Sequence, residues 1–287
     1  MRMTVNPPRQ PSLLLQERLI AIASHVILIL FVLVIVYPVV WMVFASLKTQ
    51  GELVSNIWGL PGAPQWENYS RAWERARLGN ALVNSIVVSA ATVLAVLALA
   101  APAGYALARF RFRFSAAILL LFVLTMQAPV PVIPLYVMLV RLRLTDSYLG
   151  LVLPMVAGSL PLAIFIFQAF FRSIPRELTE AAVVDGATPF GAFWRVVVPI
   201  AGPAFATVSI LEFLGAWNQY FLALILIRSP EMRTLPLAIQ VFFYEWGRSE
   251  WEQVFAALTV GSLPMIVVYV LMQRQFIQGL TSGAVKG

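Results

Sequence analysis

Long apolar stretches alternate with short polar segments along this chain, and the apolar stretches have the length of membrane-spanning helices. A helix rises about 1.5 Å per residue, so a bilayer core requires about 20 apolar residues. Six stretches meet that requirement, which predicts an all-α polytopic membrane protein with six transmembrane helices. The predicted spans are Ile20–Ala45, Ala81–Ala108, Ser115–Val140, Leu149–Phe171, Ala204–Ile227 and Val254–Met272.

The polar segments predict the orientation of these spans. An even number of spans places both termini on the same side, and the tight cluster of Arg109, Arg111 and Arg113 lies in a very short loop. Short loops rich in arginine stay in the cytoplasm. We therefore expect a cytoplasmic N-terminal segment (1–19), a six-span domain (20–274) and a cytoplasmic tail (275–287). The first apolar run has no clear cleavage site, which favours an uncleaved span in the cell membrane.

Eight prolines interrupt the predicted spans, and the third span, with the sequence QAPVPVIP, contains three of them and is expected to be the most broken. Proline removes a backbone donor, which membranes tolerate where neighbouring helices or water satisfy the freed carbonyls. Both ordinary bundle packing and a moving hinge fit this pattern. In the second span Ala100, Gly104 and Ala108 recur every four residues, which predicts a close helix-packing seam.

Composition narrows the function further. The 287 residues are 60% hydrophobic and 11% charged, with a net charge of +7 and no cysteine. The positive charge fits loops beside an anionic lipid leaflet better than nucleic-acid binding. The sequence contains no cysteine pair or histidine cluster, which argues against zinc or another metal site. It also contains no G-x-x-x-x-G-K-[ST] motif, so we expect no P-loop nucleotide site and no bound cofactor.

One charged segment between the fourth and fifth spans, residues 172–203, looks soluble. Pro175 suits a helix start, Gly186 suits a helix end, and Thr188 followed by Pro189 suits the start of a second helix. The segment therefore predicts two short helices with a hinge between them. The second helix has an apolar stripe that requires burial against the spans, the bilayer or a partner protein. Its members are Phe190, Phe193, Trp194 and Val197.

This segment resembles the EAA loop of ABC-importer permease subunits. Glu180-Ala181-Ala182 is followed after three residues by Gly186, and after nine more by Val196-x-Val198-Pro199. The two valines stand where isoleucine and leucine are usual. The rest of the chain is similar to the carbohydrate branch of that family, the maltose-type second permease. The similar segments are Ser46-Leu47-Lys48, Asn84-Ser85, Arg109-Phe110, Ile133-Pro134-Leu135-Tyr136, Trp217-Asn218 and the tail GLTSGAVKG.

The resemblance implies a type I ABC-importer transmembrane fold and a non-catalytic transport subunit. Two homologous permease subunits and an ABC ATPase dimer would form the transporter, and an extracytoplasmic binding protein would deliver a sugar. The segment 172–203 would dock in a groove of the ATPase. The residues that the resemblance assigns to this coupling are Glu180, Ala181, Ala182, Asp185, Gly186, Phe190 and Pro199.

A second candidate site lies within the fifth span. Glu212 is about 12 Å into that span, where a carboxylate is costly and is expected to face protein or water. Aromatic and amide side chains follow, and these groups stack on and hydrogen-bond sugars. A translocation pathway and a structural hydrogen bond to a neighbouring span both explain this pattern. The candidate pathway residues are Glu212, Gly215, Trp217, Asn218 and Gln219.

Other assignments remain open at this point. Trp66, Tyr69 and Trp73 share one helix face in a long outer loop, as in an interfacial helix or a docking surface. The main alternative function is a stand-alone, ion-coupled secondary transporter, which usually has inverted repeats and several embedded acids. A membrane-embedded enzyme is the third class, and the spans lack clustered catalytic groups.

Overall fold

The computed structural model describes residues 11–110, 112–126, 131–243 and 250–284. These ranges are helical and contain no strand, which confirms the all-α prediction for the described chain. A π-helix, Phe193–Val197, and two 3-10 turns, Pro230–Met232 and Gln240–Phe242, join the longer elements. The α-helices are α1 (Pro11–Ser46), α2 (Gln50–Ser55), α3 (Glu67–Arg75), α4 (Leu78–Arg109), α5 (Ser115–Thr125), α6 (Val132–Arg141), α7 (Tyr148–Ser173), α8 (Arg176–Val184), α9 (Pro189–Ala192), α10 (Val198–Ile200), α11 (Gly202–Trp217), α12 (Phe221–Leu226), α13 (Leu235–Ile239) and α14 (Trp251–Ala284).

Four of the described helices, α1, α4, α7 and α14, are long and apolar enough to cross a membrane alone. They correspond to the first, second, fourth and sixth predicted spans. Two of them extend past the predicted limits, because α1 begins at Pro11 and α14 continues to Ala284. Residues 275–284 of the predicted tail are therefore helical.

The third span is broken, as its prolines indicate, and the fifth, which was predicted as one span, is also interrupted. The third consists of α5 and α6, with residues 127–130 between them outside the described part. Pro131 immediately precedes α6 and supplies no N–H for a continuous helix. The fifth is interrupted after Trp217, where the Asn218 amide donates to the carbonyl of Leu214, 2.9 Å away. A side chain that binds its own backbone in this way competes with helix propagation.

The packing of α4 against α7 forms the centre of the bundle. Ala100 is fully buried, and a Cβ added at Gly104 would lie 2.7 Å from the Cβ of Phe167. The small-residue seam predicted for the second span is therefore confirmed at these two positions, and Ala108 is half-buried. Phe167 and Phe171 stack at 5.6 Å beneath the seam. The backbones of α4 and α7 approach closely at this seam, and both rings are therefore buried in the core.

The first helix packs on the bundle at one end only. Trp41 meets Phe255 of α14 edge to face at 5.1 Å, whereas every side chain from Leu19 to Val40 is exposed. These residues are apolar almost throughout. A single copy of the chain therefore presents a continuous apolar surface along most of α1.

A second hydrophobic cluster lies at the N-terminal end of α4. It joins α3, α13 and the first turns of α14, and Trp217 and Phe242 are buried in it. Beside it, the ammonium group of Lys48 is fully buried and donates to the carbonyls of Asn56 and Ile57, at 2.7 and 3.0 Å. These bonds fix the chain that enters α3.

Candidate functional site

The segment 172–203 forms two helices joined by a tight turn, as the sequence predicts. Gly186 follows α8 with a φ of +89°, a left-handed conformation that favours glycine. Its N–H donates to Val183 at 3.0 Å, and the N–H of Ala187 donates to Ala182 at 2.9 Å. This pair of bonds is a Schellman motif, which satisfies the last carbonyls of a helix. The turn therefore has one defined geometry.

The second helix of the segment begins where the sequence predicts. The Thr188 hydroxyl accepts from the N–H of Gly191 at 3.0 Å, and Pro189 occupies the first turn. The helix widens to a π-helix over Phe193–Val197. Pro199 has no N–H to donate to the carbonyl of Arg195 four residues earlier, and such irregularities are frequent at functional sites. The helix ends at Ile200, and α11 leaves it at an angle of 76°.

The apolar stripe of the second helix is divided between the bundle and solvent. Phe193 and Val197 are buried, and the Phe193 ring lies 4.8 Å from that of Tyr105 on α4. Phe190 and Trp194 are exposed and meet edge to face at 6.0 Å. One half of the stripe thus anchors the segment, and the other half remains available to a partner.

The predicted coupling residues lie on the outward surface of this segment. Glu180, Ala181, Asp185, Gly186, Phe190 and Pro199 are exposed, and Ala182 is half-buried. Glu180 also lines a groove of 430 Å³ between α8 and the end of α4, together with Tyr105 and Arg109. Val184 on the same helix is 86% exposed. An acidic residue flanked by exposed apolar side chains forms a surface suited to protein docking.

Arg109 connects this segment to the bundle. Its Nη2 donates to the carbonyl of Ile174 at 3.0 Å, just before α8. Because α4 has 32 residues, its two ends are about 48 Å apart. The segment 172–203 lies at the Arg109 end, and α3 packs near Leu78 at the other end. The charged segment and the aromatic segment around α3 therefore lie at opposite ends of the bundle.

The predicted pathway residues on α11 do not share one environment. Glu212 is 7% exposed and interacts with the Ser159 hydroxyl of α7. Gly215 and Asn218 lie on an exposed face, and a Cβ at Gly215 would meet no atom within 4 Å. This face of α11 is open, with the Glu212 carboxyl buried beside it.

Two of the predicted pathway residues have structural contacts. Trp217 is buried in the cluster beside α3 and stacks on Phe213 with ring centres 5.5 Å apart. Gln219 accepts from the N–H of Leu222 at 3.3 Å at the start of α12. The Gln219 bond satisfies an N–H in the first turn of α12. The contribution of both residues to a pathway stays a prediction.

The opposite end of the bundle contains polar contacts that sequence reasoning did not assign. The Asn84 amide donates to the carbonyls of Glu231 and Arg233, at 2.7 and 2.9 Å, and accepts from the hydroxyl of Tyr148. Asn68 on α3 donates to Ser46 and Lys48 carbonyls, both at 2.9 Å. The resemblance already marked the segments around Asn84, Ser46 and Lys48, and their bonds explain why polar residues stand there.

The aromatic face predicted for α3 points outwards. Trp66 and Trp73 are exposed and Tyr69 is half-buried, whereas Asn68 and Ala72 form the buried face. The Tyr69 hydroxyl reaches Ser46 at 2.6 Å. This exposed aromatic surface fits either an interfacial position or a docking role.

A carboxylate clamp holds the loops beside this end. Asp146 accepts from the N–H groups of Arg228 and Ser229, both at 3.0 Å, and from the Ser229 hydroxyl. The hydrogen bonds from Ser229 lower the pKa of Asp146 below its ordinary value of 3.8. The carboxylate is therefore ionised at neutral pH and fixes the chain between α6 and α7 to that after α12.

Comparisons with known proteins agree with this architecture. Residues 100–282 match the family described as binding-protein-dependent transport system inner membrane component. The sulfoquinovosyl glycerol transport system permease protein SmoH of Agrobacterium fabrum is 35% identical over 88% of this chain and 89% of its own length. The trehalose transport system permease protein SugB of Mycobacterium tuberculosis is 36% identical over 87% of this chain and 92% of its own length.

A solved structure shows the same fold. One chain of a bacterial ABC transporter involved in the import of the acidic polysaccharide alginate superposes with a TM-score of 0.80 and 24% identity, covering 94% of this chain and 100% of that chain. The family match extends over more than half of the sequence and includes the whole 172–203 segment. The chain therefore belongs to the family of binding-protein-dependent transport system inner membrane components, the permease subunits of ABC transporters.

Proposed function

We propose that this chain forms half of the translocation pathway of an ATP-driven importer for a sugar or oligosaccharide. An extracytoplasmic binding protein delivers the substrate, and a homologous second permease completes the pathway. The names of relatives such as SmoH and SugB support a carbohydrate. The apolar surface of α1, exposed from Leu19 to Val40, is large enough to contact the second permease and lipid.

The observation on which the proposal depends is the exposed helix pair of residues 172–203 with its hydrogen-bonded turn. The Gly186 turn fixes the angle of the pair, and Phe193 fixes it to the bundle. Glu180, Val184 and Phe190 then face outwards on a preformed surface. A preformed surface binds without the cost of ordering a loop. In our proposal an ABC ATPase dimer docks there and hydrolyses ATP, and this chain is non-catalytic.

The open face of α11 is the proposed pathway lining. Glu212 and Gly215 are its central residues, and the expected effect of Glu212→Gln is loss of transport with unchanged assembly. The matched control is Thr207→Val, on the same helix, whose hydroxyl bonds only to the Pro203 carbonyl of its own helix. Normal transport by Glu212→Gln would remove Glu212 from the pathway and leave it a structural role towards Ser159.

Single-cysteine labelling tests the orientation and the ATPase contact together. The chain has no cysteine, so one introduced thiol reports one position. We expect Val184→Cys to crosslink to the co-expressed ATPase and to react with a membrane-impermeant maleimide only in opened cells. Trp66→Cys is the matched control at the opposite end, and we expect it to react in intact cells and form no ATPase crosslink.

Two results would contradict the proposal. Labelling of Val184→Cys in intact cells would place the helix pair on the outer face of the membrane. Transport by the purified chain alone, driven by an ion gradient without an ATPase, would support the secondary-transporter alternative.

A further inference from the structure

A second polar cavity lies beside the segment 172–203, where the ends of α4 and α7 meet the start of α5. Its volume is 290 Å³. Arg109, Arg172 and Arg176 line it together with Gln168 and Ser115, and none of the described residues that line it is acidic. Three guanidinium groups that converge without a carboxylate are suited to an anion.

Two polar side chains of this cavity, Gln168 and Arg109, have groups without a hydrogen-bond partner among the described residues. Gln168 is 7% exposed and one helical turn before Arg172, and no hydrogen bond of its amide occurs within the described chain. The Nε of Arg109 is buried and likewise lacks a partner there, although Nη2 of the same group bonds to Ile174. A buried N–H is normally paired, so the Arg109 Nε, with the Gln168 amide in the same cavity, points to a ligand that accepts hydrogen bonds.

We propose that this cavity binds the headgroup phosphate of an anionic phospholipid. Arg172 and Arg176 are exposed at the mouth and have no ion pair within the described chain, so both are available to phosphate oxygens. The arginine side chains offer paired N–H donors that match phosphate geometry. Basic pockets between transmembrane helices bind such headgroups at the membrane surface.

The surroundings of the cavity favour a lipid over a free phosphate ion. Ala116 and Leu119 form its wall on α5, and Leu120 and Leu121 continue as an exposed apolar surface along that helix. An acyl chain attached to the bound phosphate would lie on this surface. Phe110 also lines the cavity, and the exposed side chains of Phe112 and Phe114 follow it in the chain.

Lipid binding in this cavity does not depend on the proposed transport function. Only the assignment of the lipid to the cytoplasmic leaflet rests on that function. The neighbouring groove shares Arg109 and Arg176 and also contains Glu180. A lipid phosphate on the arginines would therefore lie close to the proposed ATPase-docking surface. Lipid composition is expected to influence that surface through these shared residues.

Native mass spectrometry of the full-length chain in a neutral detergent tests the site without any ATPase. The probes are phosphatidylglycerol and phosphatidylcholine with identical acyl chains. We expect the chain to retain phosphatidylglycerol about tenfold more strongly. Arg172→Gln with Arg176→Gln should remove this preference, since neither side chain has an ion pair among the residues that the structure describes. Arg195→Gln with Arg274→Gln is the control, because it changes the same net charge at exposed positions away from the cavity.

A substitution that leaves the net charge unchanged distinguishes a specific lipid site from general electrostatic attraction. Gln168→Leu keeps all three arginines and a similar volume, and we expect it to weaken phosphatidylglycerol retention several-fold with an unchanged thermal midpoint. Equal retention of the two lipids, or full retention by Gln168→Leu, would overturn the proposal. Displacement of phosphatidylglycerol by millimolar inorganic phosphate would identify a free anion as the ligand and overturn the assignment to lipid. Loss of binding when an ATPase associates would instead assign the cavity to a protein carboxylate.

Discussion

Replacing Gly186 with alanine tests whether the turn between α8 and α9 depends on its left-handed backbone. A Cβ at this position would meet no atom within 4 Å, so the substitution creates no clash with other residues. The remaining cost is conformational, because the φ of +89° is unfavourable for an L side chain by about 1 kcal/mol. That energy corresponds to about fivefold in an equilibrium constant.

The expected local effect is opening of the Schellman motif in the alanine variant. Hydrogen exchange of the amides at positions 186 and 187 should be about fivefold faster, because both donate in that motif. If the ATPase binds only the closed turn, its half-saturating concentration should rise by about the same factor. Gly186→Asn should lose less, because asparagine enters the left-handed region more readily.

Gly158→Ala is the matched control for this experiment. A Cβ at Gly158 would also meet no atom within 4 Å, and this glycine lies inside α7 without a positive φ. Alanine is favoured there over glycine, so amide exchange in α8 should not change. If Gly186→Ala exchanged at the wild-type rate, the conformational argument would be refuted.

Three further perturbations test the packing and the loops. Gly104→Ala places a Cβ 2.7 Å from that of Phe167. The resulting overpacking should cost about 1–3 kcal/mol and lower the thermal midpoint in detergent. An unchanged midpoint would show that α7 shifts to make room for the added methyl group. Lys48→Met leaves the two carbonyls that Lys48 bonds without their donor. Limited proteolysis of residues 49–62 should therefore accelerate. Unaltered cleavage would show that Lys48 does not hold this segment. Asp146 has a lowered pKa, so its stabilisation is complete above 3.8 and is lost as the pH falls through the lowered value. Asp146→Asn should weaken the loops at neutral pH and remove that acid-dependent part of the unfolding profile, whereas an identical profile would show that Asp146 does not stabilise them.

Local sequence signals were sufficient to predict where the two helices of residues 172–203 begin and end. Glycine ended α8, and Thr188 with Pro189 began α9, because these signals depend only on neighbouring backbone groups. The long spans were equally predictable from apolar length. The small-residue repeat around Gly104 correctly indicated a close contact, although only the structure shows that α7 is the partner.

Tertiary contacts decided the features that sequence reasoning missed. Trp217 was predicted beside the polar face of α11, yet it is the last residue of that helix and is buried in the cluster beside α3. The stripe around Phe193 is divided between core and surface by the π-helix, which shifts the helical register. Lys48 is fully buried through bonds to carbonyls eight and nine residues later. Periodicity cannot report such distant partners.

The helical segment Pro189–Ile200 meets α11 at an angle of 76°, so it can act as a lever arm on that helix. The arm, Pro189–Ile200, has 12 residues and is about 18 Å long. A tilt of about 10° would therefore move its tip by about 3 Å. Ala201 lies at the bend between the two helices and is fully buried in the core, so the bend is packed against other residues. Torque applied at the tip would pass into axial rotation of α11, and the face around Glu212 and Gly215 would turn with it.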